Sequence, residues 1–136
     1  PASAAPLGSG CTGSAGPLTL AATSLPWLGG TFRARTTGMP ANSLGLAVTS
    51  DVPTTLPLSL VSPVAGPGCD GLLSVVLSDV LLPNGGVADS GFALPDLPAF
   101  VGLPLYHYVA ALEFGPGGAL VALTSTNRLA LVLGVF

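Results

Sequence analysis

The sequence predicts an all-β protein, a β-sandwich or jelly roll with about eight or nine short strands and little or no helix. Short runs rich in Leu, Val and Thr are separated by turn residues at intervals of about ten residues, a spacing typical of sandwiches. Of the 136 residues, 19 are glycine and 14 are proline, which leaves few stretches suited to a helix. One helical turn is expected over Pro95–Val101, with Asp96 as its N-cap and Pro98 in its first turn.

The expected strands are each bounded by glycine, proline or asparagine residues that favour turns. In chain order they are Leu18–Ser24, Thr31–Thr37, Ser43–Thr49, Thr55–Leu60, Leu72–Leu82, Gly91–Leu94, Leu105–Phe114, Leu120–Thr124 and Leu129–Val135. Residues 1–16 are rich in Pro, Ala, Ser and Gly, and they predict an extended N-terminal arm. Residues 17–136 then form a single β-sandwich domain.

Hydrophobic patterning differs between the strands. Thr31–Thr37 alternates, with its two arginines on the face opposite Phe32. Other runs, such as Val75–Leu77 and Val109–Leu112, are apolar on both faces. In an isolated two-layer sandwich one face of each strand meets solvent, so these runs should alternate as well. Their failure to alternate predicts that part of the exterior is covered.

Charged side chains are rare. Three arginines and six acidic residues make up 7% of the chain, and there is no lysine. A folded domain of 13.3 kDa would expose roughly 6,500 Å², or one charge per ~700 Å². Because so few charges would not keep the surface dispersed, we expect copies of the chain or uncharged sugar to cover it. Three arginines provide no basic patch, so no nucleic-acid partner is expected.

A membrane-spanning segment is not expected, although the mean hydropathy is +0.76. A spanning helix needs about 20 successive apolar residues. The longest charge-free stretches are interrupted by turn residues such as Pro98, Gly102 and Pro104. The start, Pro1–Pro6, suits a mature N-terminus left after removal of a signal peptide.

The two cysteines, Cys11 and Cys69, each lie in a glycine-rich turn. Their even number and the absence of partners at metal-binding spacing favour a disulfide, with two unrelated thiols as the alternative. Closing this loop would stabilise the fold by ~4 kcal/mol in the chain-entropy model. A disulfide in turn predicts an oxidising, extracellular location.

Neither a catalytic nor a metal site is expected. His107, the only histidine, lies between two tyrosines on an apolar strand, and we expect a structural role because no nucleophile or orienting acid is recognisable. Most acidic residues lie in turns, where Asp bonds its own backbone. The alternative for one group of oxygen-bearing residues is a calcium site, although they lack Asp-x-Asp-x-Asp spacing: Asp79, Asn84, Asp89 and Asp96. We therefore expect no enzyme and no cofactor.

Carbohydrate is a second candidate partner, as a covalent or a bound glycan. Three aromatic residues could stack on a sugar, although a tryptophan in a turn is more typical of a core plug at the end of a sandwich; they are Trp27, Tyr106 and Tyr108. Threonines near prolines could carry O-linked glycans or be plain loop residues; they are Thr36, Thr37, Thr54 and Thr55.

The last predicted strand is a candidate assembly strand. It either pairs in the middle of its own sheet or completes the sheet of an adjacent copy. The N-terminal arm could be donated in the same way, but its prolines remove backbone donors and limit pairing. The apolar residues of the candidate strand are Leu129, Leu131, Leu133, Val135 and Phe136.

Several turn and core motifs resemble those of one family, the uncharacterised cysteine-paired β-sandwich domains of large secreted proteins from planctomycete-type bacteria. The resemblance implies a secreted sandwich in which Cys11 is bonded to Cys69, and it implies no activity. The motifs that carry it are Gly8–Cys11, Gly66–Cys69, Asn84–Tyr106 and Ser125–Leu131.

These observations together predict a structural subunit of an extracellular assembly, such as a fibre or a surface layer. Its copies would associate through apolar faces and an exchanged terminal strand, in contacts that do not close and so make filaments. The alternative function is a carbohydrate-binding or adhesion module of a secreted protein.

Overall fold

A computed structural model describes residues 1–135 and shows an all-β chain, which confirms the predicted fold class. Within these residues two single turns of 3-10 helix, at Leu58–Leu60 and Pro98–Phe100, are the only helical segments, and neither could cross a bilayer. The thirteen strands are β1 Ser3–Leu7, β2 Thr12–Gly13, β3 Gly16–Pro17, β4 Thr19–Ala22, β5 Thr31–Thr37, β6 Ser43–Ser50, β7 Thr55–Pro57, β8 Asp70–Leu72, β9 Leu77–Leu81, β10 Ala88–Ala93, β11 Pro104–Phe114, β12 Leu120–Ser125 and β13 Arg128–Val132.

Two antiparallel sheets form the sandwich. The large sheet has the order β1-β13-β11-β6-β9, and β12 pairs with the second half of β11. The small sheet has the order β10-β5-β4. Two short hairpins, β2-β3 and β7-β8, complete the fold.

The inner core lies between the two sheets, and β5 shows how the sequence produces it. Phe32 and Ala34 of β5 are buried in this core, while Arg33 and Arg35 alternate with them on the exposed outer face, as predicted. On that face Arg35 donates to Asp89 of β10 at 2.9 Å, in an exposed pair that contributes little stability. The large sheet contributes apolar residues such as Val109 to the inner core.

A second, outer core covers the other face of the large sheet. Its cover is residues 55–72, which hold β7, the first 3-10 turn and β8; we call them the covering segment. Its side chains Leu58 and Leu72 pack with Val48, Tyr108 and other buried residues of the sheet. Part of the predicted covered exterior is therefore covered by the chain itself, which explains why β6 and β11 are apolar on both faces.

Gly71 allows β8 to lie directly on the sheet. A Cβ atom at this position would be only 2.5 Å from the hydroxyl oxygen of Tyr108. A larger residue would therefore lift the covering segment from the outer core.

Residues 1–16 differ from the predicted free arm, because they belong to the sandwich. Ser3–Leu7 pairs with β13 along its whole length, with Pro6 opposite Leu129. Pairing is compatible with proline here because β1 is an edge strand, where a missing N–H can face away from the ladder.

Two predicted strands and the helical turn also differ from the structure. Thr55–Leu60 ends as a 3-10 turn, and Leu72–Leu82 is divided into β8 and β9, which pair with different partners. The helical turn is shorter than predicted, and Leu97 occupies its N-cap without a side-chain hydrogen bond, so Asp96 is not the cap.

The predicted assembly strand is internal to the large sheet. β13 pairs with β1 on one side and with β11 on the other, so both of its edges are occupied within one chain. Leu129, Leu131 and Leu133 are at most 2% exposed and belong to the inner core, so this strand pairs in the middle of its own sheet, the first of the two alternatives. Val135 is half exposed, and Phe136 lies outside the described residues.

Candidate assembly surface

Strand β9 is an edge of the large sheet. It pairs with β6 in a continuous register from Leu77 opposite Thr49 to Leu81 opposite Gly45. Its other edge has no strand partner in the portion of the chain that the structure describes. Unpaired backbone groups along an edge strand can pair with a strand of another molecule.

The side chains around this edge are apolar and exposed. Val80 is 61% exposed and Leu82 is 79% exposed. Residues of this kind, without proline and with a high preference for β-structure, are typical of segments that pair with other chains. We define the β9 surface as the six exposed apolar residues of this region: Leu73, Val75, Val76, Leu77, Val80 and Leu82.

The β9 surface continues onto the outer face of the large sheet. Val80 lies directly opposite Leu46 in the β-ladder, so both side chains point to this face. Leu46 in turn lines an apolar groove of about 450 Å³ between the sheet and the covering segment. The covering segment adds Leu60, which is 74% exposed, and Val61, which follows it, is 64% exposed.

Asp79 is the one charged residue of β9. Its carboxylate accepts a hydrogen bond from the backbone N–H of Val80 at 2.9 Å, and it is exposed. A charge on an edge strand discourages uncontrolled pairing with other sheets. The edge strand therefore combines exposed apolar side chains with a single charged residue.

His107 lies deep between the two sheets and joins them through hydroxyl groups. Its Nδ1 is 2.9 Å from Oγ1 of Thr49 on β6, and its Nε2 is 2.9 Å from Oγ of Ser90 on β10. The ring of Phe32 packs edge-on against it, with ring centroids 5.7 Å apart. No carboxylate hydrogen-bonds the ring in the described residues, so this arrangement lacks the orienting acid of a catalytic triad.

Acidification is expected to destabilise the protein through His107. Burial lowers the pKa of this side chain to about 4 from its ordinary 6.5, so the unfolded chain binds the proton more tightly than the folded chain. The stabilisation is complete above pH ~6.5, and about 3 kcal/mol is lost as the pH falls through 4. Urea unfolding at a series of pH values measures this loss.

The matched variant is His107→Gln, whose amide can still donate and accept hydrogen bonds but does not titrate. The free energy of unfolding of this variant should change much less with pH across the same range. An equally steep dependence in the variant would contradict the role of His107.

The candidate sugar-stacking residues do not form one exposed platform. Tyr108 is buried in the outer core, where burial raises its pKa, and Tyr106 is half-buried against the same core. Trp27 is half-buried and bridges to Gly134 beyond the end of β13. Because Tyr108 is covered, the three rings cannot stack together on a saccharide.

The candidate glycan acceptors divide into two groups. Thr36 is fully buried on the inner face of β5, which excludes it as an acceptor and corrects its assignment. Thr37, Thr54 and Thr55 are exposed. A sugar on Thr54 or Thr55 would lie at the start of the covering segment, because Thr55 is the first residue of that segment and of β7.

The acidic residues of the alternative calcium site do not form a cluster. Asp89 is paired with Arg35, and Asp79 caps a backbone N–H on β9. Among the residues with described positions, no three His, Cys, Asp or Glu side chains are close enough to hold a metal ion together.

The predicted disulfide between Cys11 and Cys69 is present, with their Cα atoms 5.2 Å apart. Cys11 is held against β12 by a hydrogen bond from its backbone N–H to the carbonyl of Ser125. Cys69 belongs to the covering segment, just before β8. The bond therefore fastens the covering segment over the outer core.

Comparison with known proteins gives no match: no family model, no curated protein and no solved structure is similar to this chain. The resemblance to secreted cysteine-paired sandwiches stays a prediction.

Proposed function

We propose that this chain is a non-catalytic structural subunit of an extracellular assembly, such as a fibre or a surface layer, and that its copies associate through the β9 surface. One observation carries the proposal: an edge strand that has no second strand partner among the described residues carries or adjoins six exposed apolar side chains. Pairing with a second copy would satisfy the backbone and remove these side chains from water.

The distribution of charge supports this choice of surface. The outer face of the small sheet carries Arg33, Arg35 and Asp89, together with exposed threonines, and is suited to water. None of the six residues of the β9 surface is charged, although Asp79 lies between two of them in the sequence and Asp51 accepts a hydrogen bond from Ser74 beside them. The edge strand therefore lies in a mainly apolar part of the surface.

The proposed contact uses an internal strand in place of a terminal one. Because β13 is paired on both sides, exchanging it would require breaking two ladders, whereas β9 is already free. Two copies joined through β9 would continue the large sheet. Leu60 and Val61, exposed on the outer face, form a second apolar contact through which such pairs extend into a larger assembly.

The extracellular location is supported by the disulfide, because such bonds persist mainly in oxidising compartments. O-linked sugars on the exposed threonines would cover additional surface without adding charge. Thr37, Thr54 and Thr55 are the acceptors that we retain.

The variant Val80→Asp tests the proposed function. A second carboxylate at the β9 edge would be buried without a partner on association, so we expect association to weaken by at least about tenfold. Sedimentation equilibrium of the unmodified protein over a concentration series measures the change. Val101→Asp is the matched control, because Val101 is 50% exposed but lies outside the edge strand.

The control should associate like the parent protein. Equal weakening by both substitutions would show that added charge acts non-specifically. No effect of Val80→Asp would remove β9 from the contact.

A further inference from the structure

A small cavity connects His107 to the β9 edge. It has a volume of about 170 Å³ and lies between β9 of the large sheet and β10 of the small sheet. Leu77, Ser78 and Asp79 line it from β9, while Phe92 lines it from β10. The buried His107 and the exposed Asp79 thus line one cavity.

Asp79 is the only charged residue that lines this cavity. The other elements packed against His107 contribute uncharged groups: Thr49 from β6, Ser90 from β10 and Phe32 from β5. Arg35 and Asp89 are exposed on the opposite face of the small sheet. Among the residues that line the cavity, Asp79 is therefore the one whose negative charge can offset a charge formed on the imidazole.

We propose that His107 and Asp79 form an acid-operated control of the β9 edge, in which proton uptake by His107 draws the Asp79 carboxylate toward the cavity and promotes association of copies. The inference rests on the proposed function, since it concerns the same edge. It assigns a regulatory role to a buried histidine that needs no catalytic partner.

The hydrogen bonds of the imidazole explain the response to a proton. A neutral ring donates one hydrogen bond and accepts one, which matches its two hydroxyl partners. A protonated ring donates both, so both hydroxyls must accept, and the new positive charge lies in a poorly solvated site. The carboxylate of Asp79, a residue that lines the cavity, is the group that best offsets this charge.

The same movement takes the negative charge of Asp79 away from the exposed edge of β9. Two copies that pair through β9 bring their Asp79 carboxylates toward the contact, where repulsion between like charges opposes pairing. An Asp79 paired with a protonated His107 is electrically neutralised and turned toward its own cavity. Association should therefore strengthen when the pH falls toward the range in which His107 titrates.

The test compares association at pH 7 and at about pH 4.5, by sedimentation equilibrium of the full chain. The parent protein should associate at least about fivefold more tightly at the lower pH, a typical coupling between linked sites. His107→Gln should lose this increase, and Asp79→Asn should associate tightly at both values. An NMR titration in dilute solution should give an imidazole pKa about one unit lower in Asp79→Asn than in the parent protein.

These experiments distinguish a failure of the acid-operated control from a failure of the proposed function. The inference is wrong if the parent associates equally at both pH values, if His107→Gln keeps the increase, or if Asp79→Asn leaves the imidazole pKa unchanged. In each case a loss of association in Val80→Asp would still uphold the proposed function. The titration needs no association, so it tests the His107–Asp79 pair even if β9 is not the contact.

Discussion

Replacing both cysteines, as Cys11→Ala/Cys69→Ala, is expected to lower the free energy of unfolding by about 4 kcal/mol. The bond joins residues 58 positions apart in the chain, so its loss enlarges the conformational freedom of the unfolded state considerably. Denaturant unfolding of the variant and of the oxidised parent measures the difference. Alanine avoids placing a new hydroxyl group in the outer core.

The structure also predicts where the effect appears first. Without the bond, the covering segment is held to the large sheet by the bridge between Ala65 and Leu123 and by packing of Leu58 and Leu72. Hydrogen exchange should therefore rise first in residues 55–72, before the inner core opens. A variant within about 1 kcal/mol of the parent, with an equally protected covering segment, would contradict this role of the disulfide.

Phe32→Ala is expected to cost about 4 kcal/mol, within the range measured for large aromatic residues in cores. Phe32 is fully buried, and its ring centroid lies 5.3 Å from that of Phe92 and 5.7 Å from the His107 ring. Its removal leaves a cavity at the centre of the inner core. The free energy of unfolding from a urea titration near neutral pH is the measurement.

Phe114→Ala is the matched control, since Phe114 is half-buried at the end of β11. Its cost should be clearly smaller. Similar costs for the two substitutions would mean that the inner core is not the main source of stability. Phe32→Ala should also raise the pKa of His107 toward its ordinary value, because water can enter the space beside the ring.

Local patterns were enough to predict the fold class and several strands. The alternation of β5 identifies its buried and exposed faces, and the turn residues limit β6, β11 and β12 to within a few positions. The pairing of Cys11 with Cys69 follows from composition, because no other cysteine competes. These features depend on short stretches of sequence or on simple counting.

The cover over the large sheet could not be predicted in the same way. Runs that are apolar on both faces show that a strand is covered, but the pattern is the same for a cover from the same chain and from another copy. The covering segment lies far from β11 in sequence and has short, irregular elements. Pro6 likewise made the β1 segment resemble a linker. Proline is tolerated in a strand mainly at the edge of a sheet, and the position of β1 at an edge is not visible in the sequence.

The position of the last predicted strand within the sheet could not be predicted for a related reason. The apolar run of β13 has the composition of an interface, and its neighbours in the sheet are set by pairings across more than 100 residues, as with Ser3 opposite Val132. The run that contains β9 was predicted as a strand, and its exposure depends on its position at the end of the strand order. Only the topology distinguishes the two.

The central claim is that copies of this chain cover their charge-poor surface by pairing through β9. Hydrogen exchange of the unmodified protein at a low and a high concentration tests it most directly. The account predicts that amides of Leu77–Leu81 gain protection as the concentration rises, while those of the other edge, Ser3–Leu7, do not. Protection of β9 that is the same at both concentrations, in a particle that remains 13.3 kDa, would contradict the claim.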